Sequence, residues 1–122
     1  MIAKLARIII FTSNMEKMTA FYGGVLGLKS KIDPKYPASE WIEFEAGGCW
    51  IALHKAGPGI DTSGQTGNDP HKIVFLCDDI AAERKRLIAA GVAMGKHHNS
   101  GGLELCDGPD PDGNRIQLSN RR

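Results

Sequence analysis

The fold of this chain is decided by a ten-residue stretch, Asp110-Pro111-Asp112-Gly113-Asn114-Arg115-Ile116-Gln117-Leu118-Ser119. Its first half predicts a tight turn, because Pro111 restricts φ and Gly113 accommodates a positive φ. Asp112 and Asn114 can support the turn through hydrogen bonds to their own backbone. The chain is therefore expected to reverse direction over residues 110–114.

The second half of the stretch predicts a strand that closes a sheet. Ile116 and Leu118 alternate with polar residues, which gives the strand one apolar and one polar face. Gln117 lies at the centre of the polar face. The chemistry of a site on this face therefore depends on what the Gln117 amide can bind.

Length and composition predict one domain of a soluble globular protein. The chain has 122 residues, a net charge of +1 and 15 glycines, values that suit one domain rich in turns. Without a basic block, a nucleic-acid partner is not expected. No stretch is typical of an export signal or a membrane span, so a membrane partner is not expected either. Cys49, Cys77 and Cys106 have neither disulfide nor zinc-site spacing, which favours a cytoplasmic location.

The first half of the chain predicts a strand followed by a helix. Residues 5–11 form an almost continuous apolar run, which is typical of a strand covered on both faces. Arg7 interrupts the run, and its five donors require a partner. Ser13 or Asn14 is expected to cap the helix that follows.

A hairpin is predicted over residues 41–54, around the two-residue turn Gly47-Gly48. Its register places six side chains on one face of the sheet: Trp41, Glu43, Glu45, Trp50, Ala52 and His54. Within this set, Glu43 is expected opposite Ala52, and Trp41 opposite His54. The other face is apolar and is expected to form the core. The first face is polar but carries two indoles, which favours a ligand-binding wall over a solvated surface.

The same pattern recurs after 65 positions. Lys72 follows Arg7 at this spacing, as Gln117 follows Ala52. A strand at 72–77, a helix at 80–90 capped by Asp78-Asp79, and the closing strand after the turn make up the second copy. The chain is therefore predicted to contain two strand-helix-strand-strand-strand units. Within the second unit, His97-His98 is expected in a surface loop.

Three motifs resemble the vicinal oxygen chelate superfamily: Phe21-Tyr22-Gly23-Gly24-Val25-Leu26-Gly27-Leu28, the helix start Asp79-Ile80 with Gly91-Val92 at its end, and Asp110-Pro111-Asp112-Gly113-Asn114. That group includes glyoxalase I, bleomycin-resistance and fosfomycin-resistance proteins, and extradiol dioxygenases. The resemblance covers nearly the whole chain. It implies an α+β fold of two βαβββ modules, with curved mixed and antiparallel sheets around a cavity and helices outside.

The resemblance also implies how the chain is divided and assembled. One domain is expected over residues 1–122, with module 1 at about 3–56, a linker at 57–69 and module 2 at about 70–120. A homodimer is expected, with the cavity between modules of one chain or of two.

In the metal-using members of this superfamily, four side chains hold the ion, and the motif spacing maps their positions to Arg7, Ala52, Lys72 and Gln117. A guanidinium, a methyl group and an ammonium cannot coordinate a metal, so only the Gln117 carbonyl remains. One amide oxygen does not hold a divalent ion against water, so no cofactor is expected. The alternative is a shifted site for Zn, Ni, Mn or Fe that uses His54 and Gln117 with Glu43.

The expected function is the binding of a small organic molecule in a metal-free cavity, as in the bleomycin-resistance branch. Arg7 and Lys72 favour an anionic ligand, and the two indoles favour a planar one. The expected ligand-binding residues are Arg7, Trp41, Glu43, Trp50, Ala52, His54, Lys72, Arg115 and Gln117. Glu43 and His54 are also the candidate pair for metal-free acid-base catalysis. The alternative function is that of a divalent-metal-dependent lyase, isomerase or dioxygenase, similar to lactoylglutathione lyase or to a dioxygenase.

Overall fold

The computed structural model of the protein describes residues 1–2, 4–62 and 71–122. The chain divides into two compact units, Met1–Gly64 and Gln65–Arg122. Each unit contains one four-stranded sheet. Of the predicted linker, residues 63–69 lie outside the described residues, and residues 57–62 contain neither helix nor strand.

The first unit has the predicted strand-helix-strand-strand-strand order. Its elements are β1 (Arg7–Thr12), α1 (Met15–Thr19), a π-helical segment (Ala20–Val25), β2 (Ser30–Lys31), β3 (Trp41–Glu45) and β4 (Trp50–Lys55). The sheet order is β1-β4-β3-β2, with β1 parallel to β4 and the other pairs antiparallel. Strand β4 therefore lies between the first and third strands of the unit.

The second unit repeats this arrangement. Its elements are β5 (Ile73–Leu76), α2 (Ile80–Ala89), β6 (His98–Ser100), β7 (Leu103–Pro109) and β8 (Arg115–Ser119). The sheet order is β5-β8-β7-β6, again with a parallel first pair. Because both units share one strand order and one set of directions, the structure confirms the predicted pair of βαβββ modules.

The hairpin between β3 and β4 has the predicted register. Ala46 donates its backbone N–H to the Cys49 carbonyl at 3.0 Å, and Gly47 adopts a φ of +74°, as a two-residue turn requires. Glu43 pairs with Ala52, as expected. The hairpin therefore presents one polar and one apolar face, as the alternation predicts.

The apolar face of the first sheet forms the core of the first unit. Phe44 and Leu53 are fully buried, and so are Met18 of α1 and Tyr22 of the π-helical segment. The rings of Tyr22 and Phe44 lie 6.2 Å apart. Helix α1 and the π-helical segment thus cover the apolar face of the sheet. The polar face is not covered by them and can carry a binding site.

Strand β1 differs from the prediction that both of its faces are covered. Ile10 is buried, but Ile9 is 43% exposed, and Leu5, which precedes the strand, is 63% exposed. Arg7 is exposed as well. The apolar run was misleading because Ile9 shares the polar face of the sheet, since it pairs with Ala52 of β4.

The first helix begins where it was predicted to begin, but without the expected side-chain cap. Asn14 occupies the N-cap position but makes no side-chain capping bond. The Thr12 hydroxyl instead accepts a hydrogen bond from the Asn14 backbone N–H at 2.9 Å. After Thr19 the helix widens to π-helical geometry around Gly23 and Gly24, where glycine costs more than alanine in an ordinary helix.

In the turn before β8, the residue that organises the chain is Asp110. Its buried carboxylate accepts hydrogen bonds from the backbone N–H groups of Asp112 and Asn114, both at 2.9 Å. Gly113 has the expected positive φ, +88°. The turn is where it was predicted, but the acceptor is Asp110 and not the side chains of Asp112 and Asn114.

Two further features of the second unit were predicted from the sequence. Asp79 caps α2 by accepting a hydrogen bond from the Ala82 backbone N–H at 3.0 Å, as predicted. The expected surface loop at His97-His98 is confirmed in part: His97 precedes the strand, whereas His98 is exposed but begins β6. The His97 ring lies 2.7 Å from Glu104. None of the described helices has the length and hydrophobicity needed to cross a membrane.

Replacing Gly23 with alanine tests the packing of the π-helical segment on the sheet. A Cβ at Gly23 would lie 3.0 Å from the Phe44 ring, whereas a Cβ at Gly24 would meet nothing within 4 Å. Because Phe44 is fully buried, we expect Gly23→Ala to lower the free energy of unfolding by about 1–3 kcal/mol relative to Gly24→Ala. Urea denaturation of both variants measures the difference, and equal stabilities would show that the ring does not restrict this position.

Candidate functional site

A cavity of about 380 Å³ lies on the polar face of the first sheet. It is lined by Arg7, Asp33, Tyr36, Glu40, Trp41, Glu43 and His54. Four of these seven, namely Arg7, Trp41, Glu43 and His54, are among the residues expected from the sequence to bind a ligand. The cavity has the size of a site for a small organic molecule.

Aromatic rings form one wall of the cavity. The His54 ring stacks on Phe11 with centroids 5.2 Å apart. Trp41 meets the same imidazole edge to face at 5.4 Å. The three residues come from adjacent strands, because Phe11 and Trp41 both pair with His54 in the sheet register. The strand register therefore holds a rigid aromatic cluster in place, with Trp41 and His54 facing the cavity.

The hydrogen bond of His54 fixes which of its nitrogens carries the proton. Nδ1 lies 2.9 Å from the backbone carbonyl of Lys55. A carbonyl oxygen can only accept, so Nδ1 must be the donor. In the neutral ring Nε2 then has the lone pair. His54 is thus an orientated hydrogen-bond acceptor in the wall of the cavity.

The two charged residues of the sheet in this cavity form an ion pair. Arg7 Nη2 lies 3.2 Å from Glu43 Oε1. Arg7 is on β1 and Glu43 is on β3, so the pair spans the central strand β4. Pairing between Arg7 and Glu43 was one of the expected uses of Arg7. The Glu43 carboxylate therefore compensates the positive charge of Arg7, which was one reason to expect an anionic ligand.

Ala52, on the central strand β4, is directly opposite Glu43 in the register and is fully buried. The residues that line the cavity do not include it, so the expectation that Ala52 contacts a ligand gains no support.

Three lining residues, Asp33, Tyr36 and Glu40, were missed by the sequence reading. They belong to the loop between β2 and β3, which contains prolines at positions 34 and 37. The Asp33 carboxylate accepts a hydrogen bond from the Lys35 backbone N–H at 2.9 Å, and Tyr36 donates its backbone N–H to the Asp33 carbonyl at 3.1 Å. The Asp-Pro turn start was the signal available, but it does not reveal where the loop folds.

Trp50 was also expected to bind a ligand, but it interacts with a side chain of this protein. The Lys31 ammonium lies 5.6 Å from the centroid of the Trp50 ring, within the range of a cation–π interaction. Lys31 lines a neighbouring depression of about 320 Å³, together with Arg7, Asp33, Pro34 and Glu43. Trp50 lines neither depression.

In the second unit, the other expected residues converge on Asp107, which sequence reasoning did not identify. The Asp107 carboxylate accepts hydrogen bonds from Gln117 Nε2 at 2.7 Å, Lys72 Nζ at 3.0 Å and Arg115 Nη2 at 3.2 Å. Asp107 is opposite Gln117 in the register. In the strand register its counterpart in the first unit is Glu43, which is opposite Ala52. The 65-residue spacing relates Glu43 to Gly108, so the repeat alone does not point to Asp107.

The partners of Asp107 change its acidity. Burial raises the pKa of the carboxyl group, but the hydrogen bonds from Gln117 and Lys72 and the charges of Lys72 and Arg115 outweigh this effect. The pKa of Asp107 therefore lies below its usual value of 3.8. The carboxylate stays ionised and holds three of the expected ligand-binding residues together.

The side chains at the four positions that metal-using relatives employ do not fit a metal. In the first unit, Arg7 is bound to Glu43, and Ala52 has no donor atom. In the second, the ammonium of Lys72 and the amide nitrogen of Gln117 both donate to Asp107. Only the Gln117 carbonyl oxygen has the chemistry of a ligand. Among the described residues, no group of three or more His, Cys, Asp or Glu side chains is placed to hold an ion.

The sequence matches the family model of the Glyoxalase/Bleomycin resistance protein/Dioxygenase superfamily over residues 4–118. The chain therefore belongs to this superfamily. No curated protein sequence matches it.

Solved structures share the fold over almost the whole chain. TnmS3, an antibiotic binding protein from Streptomyces sp. CB03234, is 24% identical, with a TM-score of 0.75, over 97% of this chain and 95% of that one. UcmS2 is 21% identical, with a TM-score of 0.83 over 99% and 100%. The fosfomycin resistance protein FosX from Listeria monocytogenes is 20% identical, with a TM-score of 0.78 over 98% and 93%. At these identities the similarity establishes the fold.

Replacing Asp107 with asparagine removes the charge that holds this cluster. We expect Asp107→Asn to lower the free energy of unfolding by about 1 kcal/mol at pH 7, because charged hydrogen bonds are lost at a partly exposed site. The folded-state pKa is depressed, so the contribution is complete above pH 3.8 and is lost as the pH falls through the folded-state pKa. The stability difference between wild type and variant should therefore vanish in acid.

Denaturation at pH 7 and at a series of pH values below 4 measures this difference. Asp78→Asn is the matched control, because the ion pair of Asp78 with Arg122 is largely exposed and should contribute little. An Asp107→Asn effect that is as small as the Asp78→Asn effect, or that persists in acid, would contradict the assignment.

Proposed function

We propose that this protein binds a small planar organic molecule, without a metal ion, in the cavity on the first sheet. The observation that carries the proposal is the aromatic wall formed by Trp41 and His54 in a cavity of about 380 Å³. Rigid rings orientated by strand pairing suit a flat ligand, since stacking on them costs little conformational entropy. Tyr36 adds a third ring to the lining.

The absence of suitable metal ligands at Arg7, Ala52 and Lys72 supports binding without an ion. It also supports a role in recognition, because the family's metal-dependent chemistry requires donors that these side chains lack. TnmS3, which shares the fold, is an antibiotic binding protein. We propose that this protein also binds a small organic molecule. The proposal does not require that its ligand be the one that TnmS3 binds.

The geometry does not support the expected preference for an anion. Arg7 and Lys72 were the reason for that expectation, but each is paired with a carboxylate, Glu43 at 3.2 Å and Asp107 at 3.0 Å. A bound anion would have to compete with these carboxylates. We therefore retain the planar ligand and not the anionic one.

We also propose that the protein acts as a cytoplasmic homodimer. Val74 and Leu76, on the same face of the second sheet as Gln117, are each 53% exposed. Covering these side chains with a second copy would remove apolar surface from water. The described cysteines are all free thiols, which fits a reducing compartment.

Separate replacement of the two tryptophans by alanine tests the location of the site. A thermal-shift screen of planar aromatic compounds selects a ligand by the rise in Tm that binding to the native state produces. We expect Trp41→Ala to lower its affinity by about tenfold or more, as removal of a buried aromatic anchor does. Trp50→Ala is the matched control, because Trp50 contacts Lys31 outside the cavity. Equal losses in both variants, or a loss only in Trp50→Ala, would contradict the proposed site.

Removal of metal separates the proposed function from the alternative of a metal-dependent lyase, isomerase or dioxygenase. FosX from Listeria monocytogenes has been solved with Mn(II), so manganese is included with zinc, nickel and iron. We expect protein purified without a metal-chelating tag to bind the selected ligand equally well before and after dialysis against EDTA. A stoichiometric ion whose removal abolishes binding would favour the alternative.

A further inference from the structure

We propose that the ligand of this cavity carries a positively charged nitrogen group, such as an amidinium or a protonated amine, on its planar framework. This inference rests on the proposed function and adds the chemical class of the ligand. Three independent features of the first unit support it: the charges that line the cavity, the direction of its hydrogen-bonding groups, and a cation–π contact on the same sheet face.

The charges that line the cavity are mainly negative. Asp33, Glu40 and Glu43 contribute three carboxylates, and Arg7 contributes the one permanent positive charge of the lining. Arg7 and Glu43 compensate each other through their ion pair. Asp33 and Glu40 therefore leave the cavity with a negative potential, which attracts a cation and repels an anion.

The backbone contact of Asp33 directs its carboxylate without neutralising it. Asp33 Oδ1 accepts a hydrogen bond from the Lys35 backbone N–H, and an amide carries no net charge to compensate the carboxylate. Lys31 lies over Trp50 and lines the neighbouring depression, which Asp33 also lines, but Lys31 does not line the cavity. The cation that lines the cavity together with Asp33 is Arg7, which is directed to Glu43.

The hydrogen-bonding groups of the cavity also favour a donor on the ligand. His54 Nδ1 donates to the Lys55 carbonyl, so Nε2 is an acceptor in the neutral ring. The carboxylates of Asp33 and Glu40 are acceptors as well. The guanidinium of Arg7, which is the strongest donor in the lining, is already directed to Glu43. An amidinium or ammonium group supplies N–H donors that match these acceptors.

The sheet face itself shows how a cation is accommodated. Lys31 places its ammonium 5.6 Å from the centre of the Trp50 ring. Trp41 presents a second indole on the same face and lines the cavity next to the acidic residues. A cationic aromatic ligand can contact this indole while its charge faces the carboxylates, and both interactions favour the same orientation.

Three isosteric probes test the charge preference directly: naphthalene-2-carboxamidine, which is cationic, 2-naphthamide, which is neutral, and 2-naphthoate, which is anionic. They share one ring system and differ in charge and in hydrogen-bond donors. Isothermal titration of the wild-type protein at pH 7.5 and low salt measures their dissociation constants. We expect the amidine to bind most tightly and the naphthoate most weakly, with about a tenfold difference between these two that shrinks in 0.5 M salt.

Isosteric variants identify the carboxylates responsible. Asp33→Asn keeps the acceptor for the Lys35 N–H, and Glu40→Gln keeps the length of the side chain, so each removes the charge alone. We expect each to reduce the preference for the amidine over the naphthoate by about two- to fivefold, as partly exposed charges do. Glu45→Gln is the matched control, because Glu45 is on the same sheet face but does not line the cavity.

The possible outcomes separate this inference from the proposed function. Equal or tighter binding of the naphthoate overturns the cationic class, while dependence of that binding on Trp41 would leave the proposed site intact. Binding of all three probes with equal affinity would likewise overturn the cationic class of ligand. If none of the probes binds, the cationic class is overturned. The comparison of Trp41→Ala with Trp50→Ala, using the ligand from the thermal-shift screen, then decides the proposed function. A preference for the amidine that Glu45→Gln reduces as much as Asp33→Asn also contradicts the inference.

Discussion

In each module, a cation on or immediately before the first strand reaches across the central strand to a carboxylate on the third. Arg7 reaches Glu43 at 3.2 Å, and Lys72 reaches Asp107 at 3.0 Å. The sheet order makes this possible, because the fourth strand of each module lies between the first and the third. These pairs lie on the polar faces, so they determine what chemistry remains there. A charge that is already paired contributes little to the binding of a second ion.

The central strand adapts to the pair differently in the two modules. In the first, Ala52 is small and buried and has no polar side-chain atom to join the pair. In the second, Gln117 occupies the same register position and joins the cluster as a donor to Asp107. In both modules the cation is paired with a carboxylate of the protein itself. The first module then has an aromatic cavity as its remaining feature, and that cavity is where ligand recognition can take place.

The repeat and the registers could be predicted from the sequence because they depend on local patterns. Alternation of apolar residues and a two-residue glycine turn fix strand pairing, and the spacing of 65 residues relates the two modules. Asp107 could not be found in this way, because the spacing of 65 residues relates Glu43 to Gly108 and not to Asp107. The loop at Asp33 was missed for a different reason, since prolines mark an irregular segment without giving its path. The close approach of Gly23 to the Phe44 ring is a tertiary contact, which no helical propensity describes.

The central claim is that a planar molecule contacts Trp41 in a metal-free cavity on the first sheet. The two indole N–H signals in a ¹H–¹⁵N NMR spectrum test this most directly, because the chain has only two tryptophans and Trp50→Phe assigns them. In protein dialysed against EDTA, addition of naphthalene-2-carboxamidine should shift the Trp41 signal and leave the Trp50 signal almost unchanged. A shift of the Trp50 signal alone, or no shift of either signal until a divalent metal is added, would contradict the account.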